Sequence, residues 1–265
     1  MEVGKEQNSS GIDLSIVIPA YNEELRLPPV LEAYGRFFSE KMGSRVEILV
    51  VVNGSKDRTA EVAGKIADRF PVVRVLEEQR AIGKGGAVLM GMRAARGAFV
   101  GFVDADGATS ATTFGELFEQ AQDVDGAIAS RWAAGSDVEL PQKALRQLAS
   151  RVFNLLTFVL FGLRYKDTQC GAKIFRGEPF RKILPRLGIT EWAFDVDVLF
   201  HLRRIGCEIM ECPTVWKDVE GSKIVLHQAA YGMAVSLIRL RLIYSPFRWV
   251  VRLYDRVIRS SRRRS

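Results

Sequence analysis

Histidine and cysteine, the side chains that most often hold zinc or form disulfides, are scarce in this chain. Its 265 residues include two histidines, His201 and His227, and three cysteines, Cys170, Cys207 and Cys212. No two cysteines have the Cys-x-x-Cys spacing, and an odd number cannot all pair with one another. We therefore expect no zinc site and no disulfide framework, and we predict buried thiols in a reducing compartment.

Long apolar runs are also absent. The longest, Val152–Leu163, is interrupted by Asn154 and Thr157, and it falls short of the ~20 residues that span a bilayer. Its length suits a core helix or a helix at a membrane interface. The polar segment Met1–Gly11 predicts no signal peptide. With 48% hydrophobic and 26% charged residues and no repeat of fixed period, the composition indicates a globular protein and disfavours disorder or a solenoid.

Acidic residues almost disappear at the end of the chain. The net charge is +7, and the segment Arg239–Ser265 holds nine arginines but one acid, Asp255. That segment carries +8, which leaves residues 1–238 at about −1. Such a basic segment typically meets phosphate, on a membrane surface or on nucleic acid.

The same segment has the pattern of an amphipathic helix. Ser245 and Pro246 are predicted as its N-cap and first residue. At ~100° per residue, four arginines fall on one face: Arg248, Arg252, Arg256 and Arg259. Apolar residues, Phe247 and Trp249 among them, fall on the other face. This arrangement suits an anionic membrane surface, and the alternative is a helix packed on the protein with its arginines in solvent.

Short β-branched runs alternate with helix-period segments in the first half of the chain. Strands are predicted at Leu14–Pro19, Val46–Val52, Val72–Leu76, Ala98–Val103 and Gly126–Ser130. Helices are predicted at Glu24–Lys41, from an N-cap at Ser55 to Arg69, at Gly85–Arg96 and at Thr112–Gln122. The alternation predicts an α/β fold: a Rossmann-like, mostly parallel sheet flanked by helices, with C-terminal amphipathic helices. After residue 140 the pattern becomes more helical.

Ligands of such sheets bind beyond the carboxyl ends of the strands, where this sequence places two acidic residues. Asp104 and Asp106 directly follow the fourth predicted strand. Two carboxylates one residue apart can share one divalent cation, and Mg²⁺ or Mn²⁺ bound in this way usually also contacts substrate phosphates. The alternative is a solvated turn.

Two further segments at strand ends suit a nucleotide. The glycine-rich segment 80–86 opens a helix, so its backbone N–H groups and Lys84 could hold a phosphate, although it lacks the P-loop spacing. Asn53 follows the second strand, and its amide could pair with a nucleobase edge. A tight turn and a helix cap are the plain alternatives for these two segments.

Taken together, these segments resemble the family-2 glycosyltransferases of the GT-A fold. The resemblance rests on four motifs in order: Pro-Ala-Tyr-Asn-Glu-Glu at 19–24, Asn-Gly-Ser-Lys-Asp-Arg-Thr at 53–59, Gly-Lys-Gly-Gly-Ala-Val at 83–88 and Asp-Ala-Asp-Gly-Ala-Thr at 104–109. The later segments 167–175 and 192–197 are similar to the dolichyl-phosphate glucosyltransferase branch, a sister of the dolichyl-phosphate mannose synthases. The resemblance covers roughly residues 12–228.

The resemblance implies roles for individual residues. On the donor side it implies a nucleotide-sugar site formed by Pro19, Ala20, Tyr21, Glu23, Asn53 and Lys84. The Asp104-Ala105-Asp106 segment matches the DxD motif, whose two carboxylates bind the metal. On the acceptor side it implies a phosphate site formed by Ser130, Arg131 and Arg146.

Two departures from the family pattern matter. The family usually has Asp-Asp where this chain has Val52-Asn53, which weakens any choice between uracil and guanine. No Gln-x-x-Arg-Trp motif is present, since Ser245–Trp249 lacks the glutamine, and that argues against a processive polysaccharide synthase.

The resemblance implies an inverting transfer of a hexose from a nucleotide sugar to a polyprenyl monophosphate, with glucose from UDP-glucose favoured over mannose from GDP-mannose. A phosphomonoester has a second pKa near ~6, so it is already a nucleophile and needs no general base. Asp195 lies where some relatives keep a base, and is therefore a candidate catalytic residue. The alternative is that it orients the sugar or pairs with an arginine.

The sequence predicts three parts of the chain. These are a flexible segment 1–11, a catalytic domain 12–228 divided into a donor half (12–130) and an acceptor half (131–228), and a basic membrane-associated tail (229–265). We expect the protein at the cytoplasmic face of a membrane.

Other functions are alternatives to this prediction. One alternative is a glycosyltransferase with a soluble or polysaccharide acceptor. Another is a nucleic-acid-binding module, disfavoured because the positive charge is confined to the tail. A dehydrogenase is disfavoured because the first strand is not followed by Gly-x-Gly-x-x-Gly.

Overall fold

The computed structural model describes residues 11–139, 144–188, 192–217, 226–249 and 251. Within them the strands are β1 (Leu14–Ala20), β2 (Val46–Asn53), β3 (Val73–Glu78), β4 (Phe99–Phe102), β5 (Gly126–Ser130), β6 (Asp137–Glu139), β7 (Lys173–Arg176), β8 (Ile209–Pro213) and β9 (Val215–Lys217). The helices are α1 (Leu27–Met42), α2 (Thr59–Ala67), α3 (Gly83–Ala94), α4 (Ala111–Ala121), α5 (Ala144–Phe161), α6 (Gly177–Ile183), α7 (Phe194–Arg204) and α8 (Leu226–Ile243), with short 3-10 turns at Gly43–Arg45 and Leu184–Arg186.

Seven of these strands form one sheet in the order β3-β2-β1-β4-β7-β5-β8. β1 lies between β2 and β4 and runs parallel to both. β7 is antiparallel to its neighbours β4 and β5, and β8 is parallel to β5. The carboxyl ends of β1, β2, β3, β4, β5 and β8 therefore meet at one edge. This confirms the predicted α/β class and its mostly parallel, helix-flanked sheet.

The central strands β1 and β2 are buried because both faces of the sheet are covered. Side chains alternate along β1, so that Leu14, Ile16 and Ile18 join one apolar cluster and Val17 joins the other. The first cluster lies under α1, α2 and α4, and the second lies under α3, α6 and α7. A strand covered on both faces is expected to be apolar at nearly every position, which is why β1 and β2 were recognisable as continuous apolar runs.

The second half of the chain adds strands that the sequence pattern did not predict. β7 inserts between β4 and β5, and β8 extends the sheet beyond β5. Both are short, and β7 has only four residues, too few for a period-2 pattern to stand out between helices. The predicted acceptor half therefore completes the same sheet that the donor half begins.

Two predicted helix starts were wrong. α1 begins at Leu27 rather than Glu24, with prolines in its first turn, where a missing N–H costs no hydrogen bond. α2 begins at Thr59, and Ser55 does not cap it. The Ser55 hydroxyl instead accepts a hydrogen bond of 3.0 Å from the backbone N–H of Asn22, which ties the loop after β2 to the loop after β1.

α8 packs against α5, and the predicted domain boundary at 228/229 falls inside α8.

The predicted N-cap of the terminal helix, Ser245, makes a capping contact. Its hydroxyl accepts a 3.1 Å hydrogen bond from the backbone N–H of Phe247, as an N-cap does. The rest of the predicted terminal helix, at 252–265, and the predicted flexible segment at 1–10 lie outside the described residues. Within the described part of the chain, no helix is both long and apolar enough to cross a membrane.

Candidate active site

Several of the predicted donor, metal and acceptor residues meet at one edge of the sheet, because they lie at or just after the ends of strands that finish there. Tyr21 follows β1, Asn53 ends β2, Asp104 comes two residues after β4, and Arg131 follows β5. Pro19 and Ala20 belong to β1 itself. Tyr21 is half exposed at this edge, whereas Ala105, between the two acidic residues, is buried and anchors their turn.

Asp104 and Asp106 form the acidic centre of the site with Lys84. The Lys84 ammonium lies 2.5 Å from a carboxylate oxygen of Asp104. Burial by itself would lower the pKa of Lys84, but the carboxylates of Asp104, Asp195 and Asp106 outweigh it and raise that pKa. Burial and the neighbouring charge of Asp104 raise the pKa of Asp106. Lys84 at the start of α3 thus holds positive charge against the predicted metal-binding pair.

Tyr34 of α1 supports the acidic turn from below. Its hydroxyl donates to the backbone carbonyls of Thr109, at 3.0 Å, and Ser110, at 3.3 Å. Burial, with the charges of Asp106 and Asp104, raises the pKa of Tyr34 well above its usual range, so the phenol stays protonated and keeps donating. The turn that carries the acidic pair is therefore fixed to the core.

A loop from the acceptor half lies directly on the acidic pair. A Cβ atom added at Gly171 would collide with the carboxylate of Asp104. Any larger residue at this position would displace either the loop or the acid. The glycine therefore allows the segment 167–172, between α5 and β7, to touch the donor half at Asp104.

The donor-side residues are held by contacts within the site. Glu23 pairs with Arg26 through both carboxylate oxygens, at 2.7 and 2.5 Å. That hydrogen bonding, aided by the charge of Asp106, raises the pKa of Arg26. The side-chain oxygen of Asn53 accepts a 2.7 Å hydrogen bond from the backbone N–H of Ile82. Asn53 thus fixes the loop before α3. The sequence analysis predicted only a contact between Asn53 and a nucleobase, and it did not predict this structural role.

On the acceptor side, Arg131 is paired with a buried acid. Its Nε and Nη2 atoms donate to the two carboxylate oxygens of Asp167 at 2.7 and 2.9 Å, and its guanidinium lies over the ring of Trp216. Asp167 is fully buried. Ser130 is also buried, at the end of β5. Arg146 belongs to the first turn of α5, and its side chain lies outside the described part.

Asp195 is paired as well. The ammonium of Lys173, a fully buried lysine, lies 2.6 Å from an Asp195 carboxylate oxygen and 2.6 Å from the carbonyl oxygen of Cys170. The two side chains therefore compensate each other's charge in a buried environment, as buried ionic groups generally require. The sequence analysis gave pairing with an arginine as one alternative to a role as a base. In the structure Asp195 does pair with a cation, and that cation is Lys173.

The side chains at the acidic turn fit a divalent cation that is shared with a ligand. Two carboxylates lie on one turn, and the charge of Asp104 adds to burial in raising the pKa of Asp106. Among the described residues, no group of three or more His, Cys, Asp or Glu could hold a metal ion. Oxygen ligands beyond two carboxylates would therefore come from a bound diphosphate and water, as is usual for Mg²⁺.

Three important side chains were not singled out from the sequence. Asp167 and Lys173 lie within a segment that was recognised only for its family resemblance, and Arg26 follows the 19–24 motif. A lysine inside the apolar run Ala172-Lys173-Ile174-Phe175 is a usable signal, since lysine is almost never fully buried unless it is paired. Nothing local to Asp167 indicates its partner 36 residues away.

The raised pKa of Asp106 gives a prediction about stability. A carboxyl group whose pKa is raised by folding costs stability when it is ionised, so this cost is absent at low pH and appears as the pH rises through its ordinary pKa. We expect Asp106→Asn to raise the melting temperature of the metal-free protein at pH 7. The gain should shrink as the pH falls through the raised pKa of Asp106 towards its ordinary value of about 4, and it should be absent below that value. A variant no more stable than the wild type at pH 7 would contradict the electrostatic assignment.

Solved structures share this architecture. Glucosyl-3-phosphoglycerate synthase from Mycobacterium tuberculosis, solved with Mn²⁺, UDP and phosphoglyceric acid, superposes with a TM-score of 0.64 at 17% identity, covering 89% of this chain and 81% of that chain. Mannosyl-3-phosphoglycerate synthase from Rubrobacter xylanophilus gives a TM-score of 0.62 at 20% identity, covering 88% and 74%. The fold is therefore of the GT-A type.

The sequence matches Glycosyl transferase family 2 over residues 15–184, and the chain belongs to this family of glycosyltransferases. It is 33% identical to the dolichyl-phosphate beta-glucosyltransferase of Dictyostelium discoideum over 261 residues, covering 93% of this chain and 80% of that protein. The human dolichyl-phosphate beta-glucosyltransferase is 33% identical over 255 residues, covering 89% and 77%. The chain is thus a glycosyltransferase similar to that branch, as the sequence motifs predict.

Proposed function

We propose that this enzyme transfers glucose from UDP-glucose to a dolichyl-type polyprenyl monophosphate at a membrane surface, with inversion at the anomeric carbon. The observation that carries the proposal is the pairing of Asp195 with buried Lys173. The ion pair occupies one carboxylate oxygen of Asp195 and favours a structural role for this residue, and an acceptor phosphate needs no base to become a nucleophile. The names of the 33%-identical relatives support the same sugar and the same acceptor.

In the proposed reaction, a phosphate oxygen of the acceptor attacks the anomeric carbon of the sugar. The bond between that carbon and the nucleoside diphosphate breaks, and its electrons leave with the diphosphate. The acceptor phosphate is largely dianionic at neutral pH, so the enzyme supplies proximity and charge stabilisation rather than a base.

The donor side of the proposal assigns Asp104 and Asp106 to the metal, Mg²⁺ or Mn²⁺. When bound, that cation supplies charge neutralisation of the leaving diphosphate. Lys84 is already held in the same acidic centre, and it would contact the donor phosphates. The nucleoside site would be lined by Pro19, Ala20, Tyr21, Glu23 and Asn53. Asn53 would act mainly by fixing the loop at Ile82.

The acceptor side of the proposal assigns Ser130, Arg131 and Arg146 to the acceptor phosphate. Asp167 fixes the orientation of Arg131 through two hydrogen bonds, and a preoriented guanidinium loses little freedom when it binds a phosphate. The same pairing also neutralises much of its charge, so we assign to Arg131 a role in orienting the phosphate.

The donor preference can be measured with purified enzyme, Mn²⁺ and a short polyprenyl phosphate. We expect label from UDP-glucose in the organic phase at a rate at least tenfold above that from GDP-mannose, and none with EDTA. A larger rate from GDP-mannose would overturn the assignment of glucose. Metal-dependent hydrolysis of UDP-glucose without label in the lipid would favour the second candidate, a soluble acceptor.

A further inference from the structure

The turn after β5 carries a tryptophan whose indole N–H meets no acceptor within the described residues. Trp132 directly follows Arg131, and its Nε1 atom is buried. An indole nitrogen only donates, so its partner must be an acceptor. Burying such a donor without a partner costs free energy, and buried polar groups in proteins are therefore almost always paired. The buried N–H of Trp132 thus indicates a ligand that supplies an acceptor atom.

Hydrogen bonds on both sides of Trp132 fix the turn that carries it. The Ser136 hydroxyl donates to the backbone carbonyl of Ser130 at 2.6 Å. The backbone N–H of Arg131 donates to a carboxylate oxygen of Asp167 at 3.1 Å. The indole is therefore attached to a backbone that is already bonded, and a ligand could meet its N–H without rearranging the turn.

The ring of Trp132 lies between this turn and α5. The guanidinium of Arg151, on α5, lies 5.1 Å from the centre of the ring, which is a cation–π contact. α5 also carries Arg146, the second arginine that we assign to the acceptor phosphate. The indole N–H is therefore buried between two elements that the proposed function assigns to that phosphate.

The groups around the indole favour an anion as its partner. Arg131 precedes Trp132, Arg151 covers its ring, and Asp167 already accepts from Arg131 through both carboxylate oxygens. The buried hydroxyl of Ser130 likewise has no hydrogen-bond partner among the residues that the structure describes. Two such donors, one on each side of an arginine in the sequence, suit an anion with several acceptor oxygens, such as a phosphate monoester.

We propose that the indole N–H of Trp132 donates a hydrogen bond to an oxygen of the acceptor phosphate and thereby helps to select a phosphorylated acceptor. The identity of that phosphate rests on the proposed function. Arg131 contributes an oriented guanidinium, and Trp132 adds a neutral donor at a fixed position. A neutral indole orients the phosphate without protonating it, so the attacking oxygen stays a nucleophile.

The first test observes the indole directly, by NMR of the full chain labelled with ¹⁵N in its tryptophan side chains. The chain has four tryptophans. Trp132→Phe identifies the signal of residue 132, and Phe substitutions at the other three identify it by elimination should that variant not fold. We expect the Trp132 indole proton to move downfield with farnesyl phosphate, because it gains a bond to a charged acceptor. It should stay in place with farnesol, and with UDP and Mg²⁺.

The second test measures the kinetics of Trp132→Phe, which removes the N–H and keeps an aromatic ring next to Arg151. We expect the KM for farnesyl phosphate to rise about tenfold to hundredfold, as the loss of a hydrogen bond to a charged group commonly does. The kcat and the KM for UDP-glucose should change by less than about threefold, because the N–H binds the acceptor and not the donor. Trp249→Phe, which changes an exposed tryptophan just after α8, is the matched control and should keep all three constants.

An indole signal that stays in place with farnesyl phosphate, or a Trp132→Phe variant that keeps the wild-type KM for it, would overturn the inference. So would a signal that moves equally with farnesol, or one that moves only with UDP, because the N–H would then serve the prenyl chain or the donor diphosphate. A wild type whose indole signal moves with farnesyl phosphate but which transfers no sugar to it would refute the proposed function and leave the phosphate contact supported.

Discussion

Replacing Asp104 or Asp106 by Asn is expected to lower kcat/KM for sugar transfer by about a thousandfold. Either change removes a negative charge from the turn that would hold the cation, and stabilisation of a developing anion is commonly worth factors of 10²–10³ or more. The isosteric amide keeps the shape of the turn, and the side-chain oxygen at 106 can still accept from the N–H of Ala108, as Asp106 does at 3.0 Å.

Asp123→Asn is the matched control for this loss. Asp123 is an exposed acid in the turn before β5, at the edge of the sheet opposite the site. The control should retain wild-type activity and melting temperature. Activity of the Asp104→Asn variant within tenfold of the wild type, in the presence of saturating Mn²⁺, would contradict the assignment of the acidic pair.

Replacing Asp195 by Ala is expected to destabilise the protein by about 3–5 kcal/mol, because it leaves the ammonium of Lys173 buried without its carboxylate. Chemical denaturation measures the change. The double variant Lys173→Met/Asp195→Leu removes both charges and should recover most of the lost stability, since apolar pairs often replace buried ion pairs at little cost.

The same double variant tests whether Asp195 is a base. General base catalysis is worth roughly 10²–10⁴ in rate, so loss of a base would lower kcat by at least that factor and remove the acidic limb of the pH–rate profile. We expect a smaller loss and an unchanged acidic limb. A folded double variant that has lost its acidic limb would assign Asp195 to proton transfer.

The sequence predicted well the features that depend on neighbouring residues. β1, β2 and β5 were placed to within a residue, because strands buried on both faces appear as continuous apolar runs. Asp104 and Asp106 were placed at a strand end because the apolar run stops at Val103. In a mostly parallel sheet, ligands bind beyond the carboxyl ends of the strands, so a position just after a strand indicates a ligand-binding residue.

Pairings between distant residues could not be predicted in the same way. Asp167 meets Arg131 over 36 residues, and Asp195 meets Lys173 over 22 residues, and no local period encodes either contact. Both depend on β7, the short antiparallel strand that inserts between β4 and β5. Because β7 was not predicted, the sequence analysis placed the acceptor half apart from the donor half. In the structure, the loop of the acceptor half at Gly171 contacts Asp104 of the donor half.

Ser55 illustrates a different limit. A serine shortly before a helical segment predicts an N-cap, but its hydroxyl binds the N–H of Asn22 instead. Asn22 has a positive φ of 54°, and its own side chain accepts from the N–H of Lys56 at 2.8 Å. Each loop therefore provides the hydrogen-bond acceptor for a backbone N–H of the other loop. This tertiary contact takes the serine hydroxyl that would otherwise cap the helix.

The measurement that tests the account most directly compares two acceptors that differ only in the phosphate. The wild-type enzyme is incubated with labelled UDP-glucose and Mn²⁺, and with either a polyprenyl phosphate or the corresponding polyprenol. We predict label in the lipid phase with the phosphate alone, because the phosphate is already a nucleophile, whereas an alcohol needs a base and the candidate base Asp195 is held in an ion pair. Equal labelling of the polyprenol would contradict the central claim that the acceptor phosphate is itself the nucleophile.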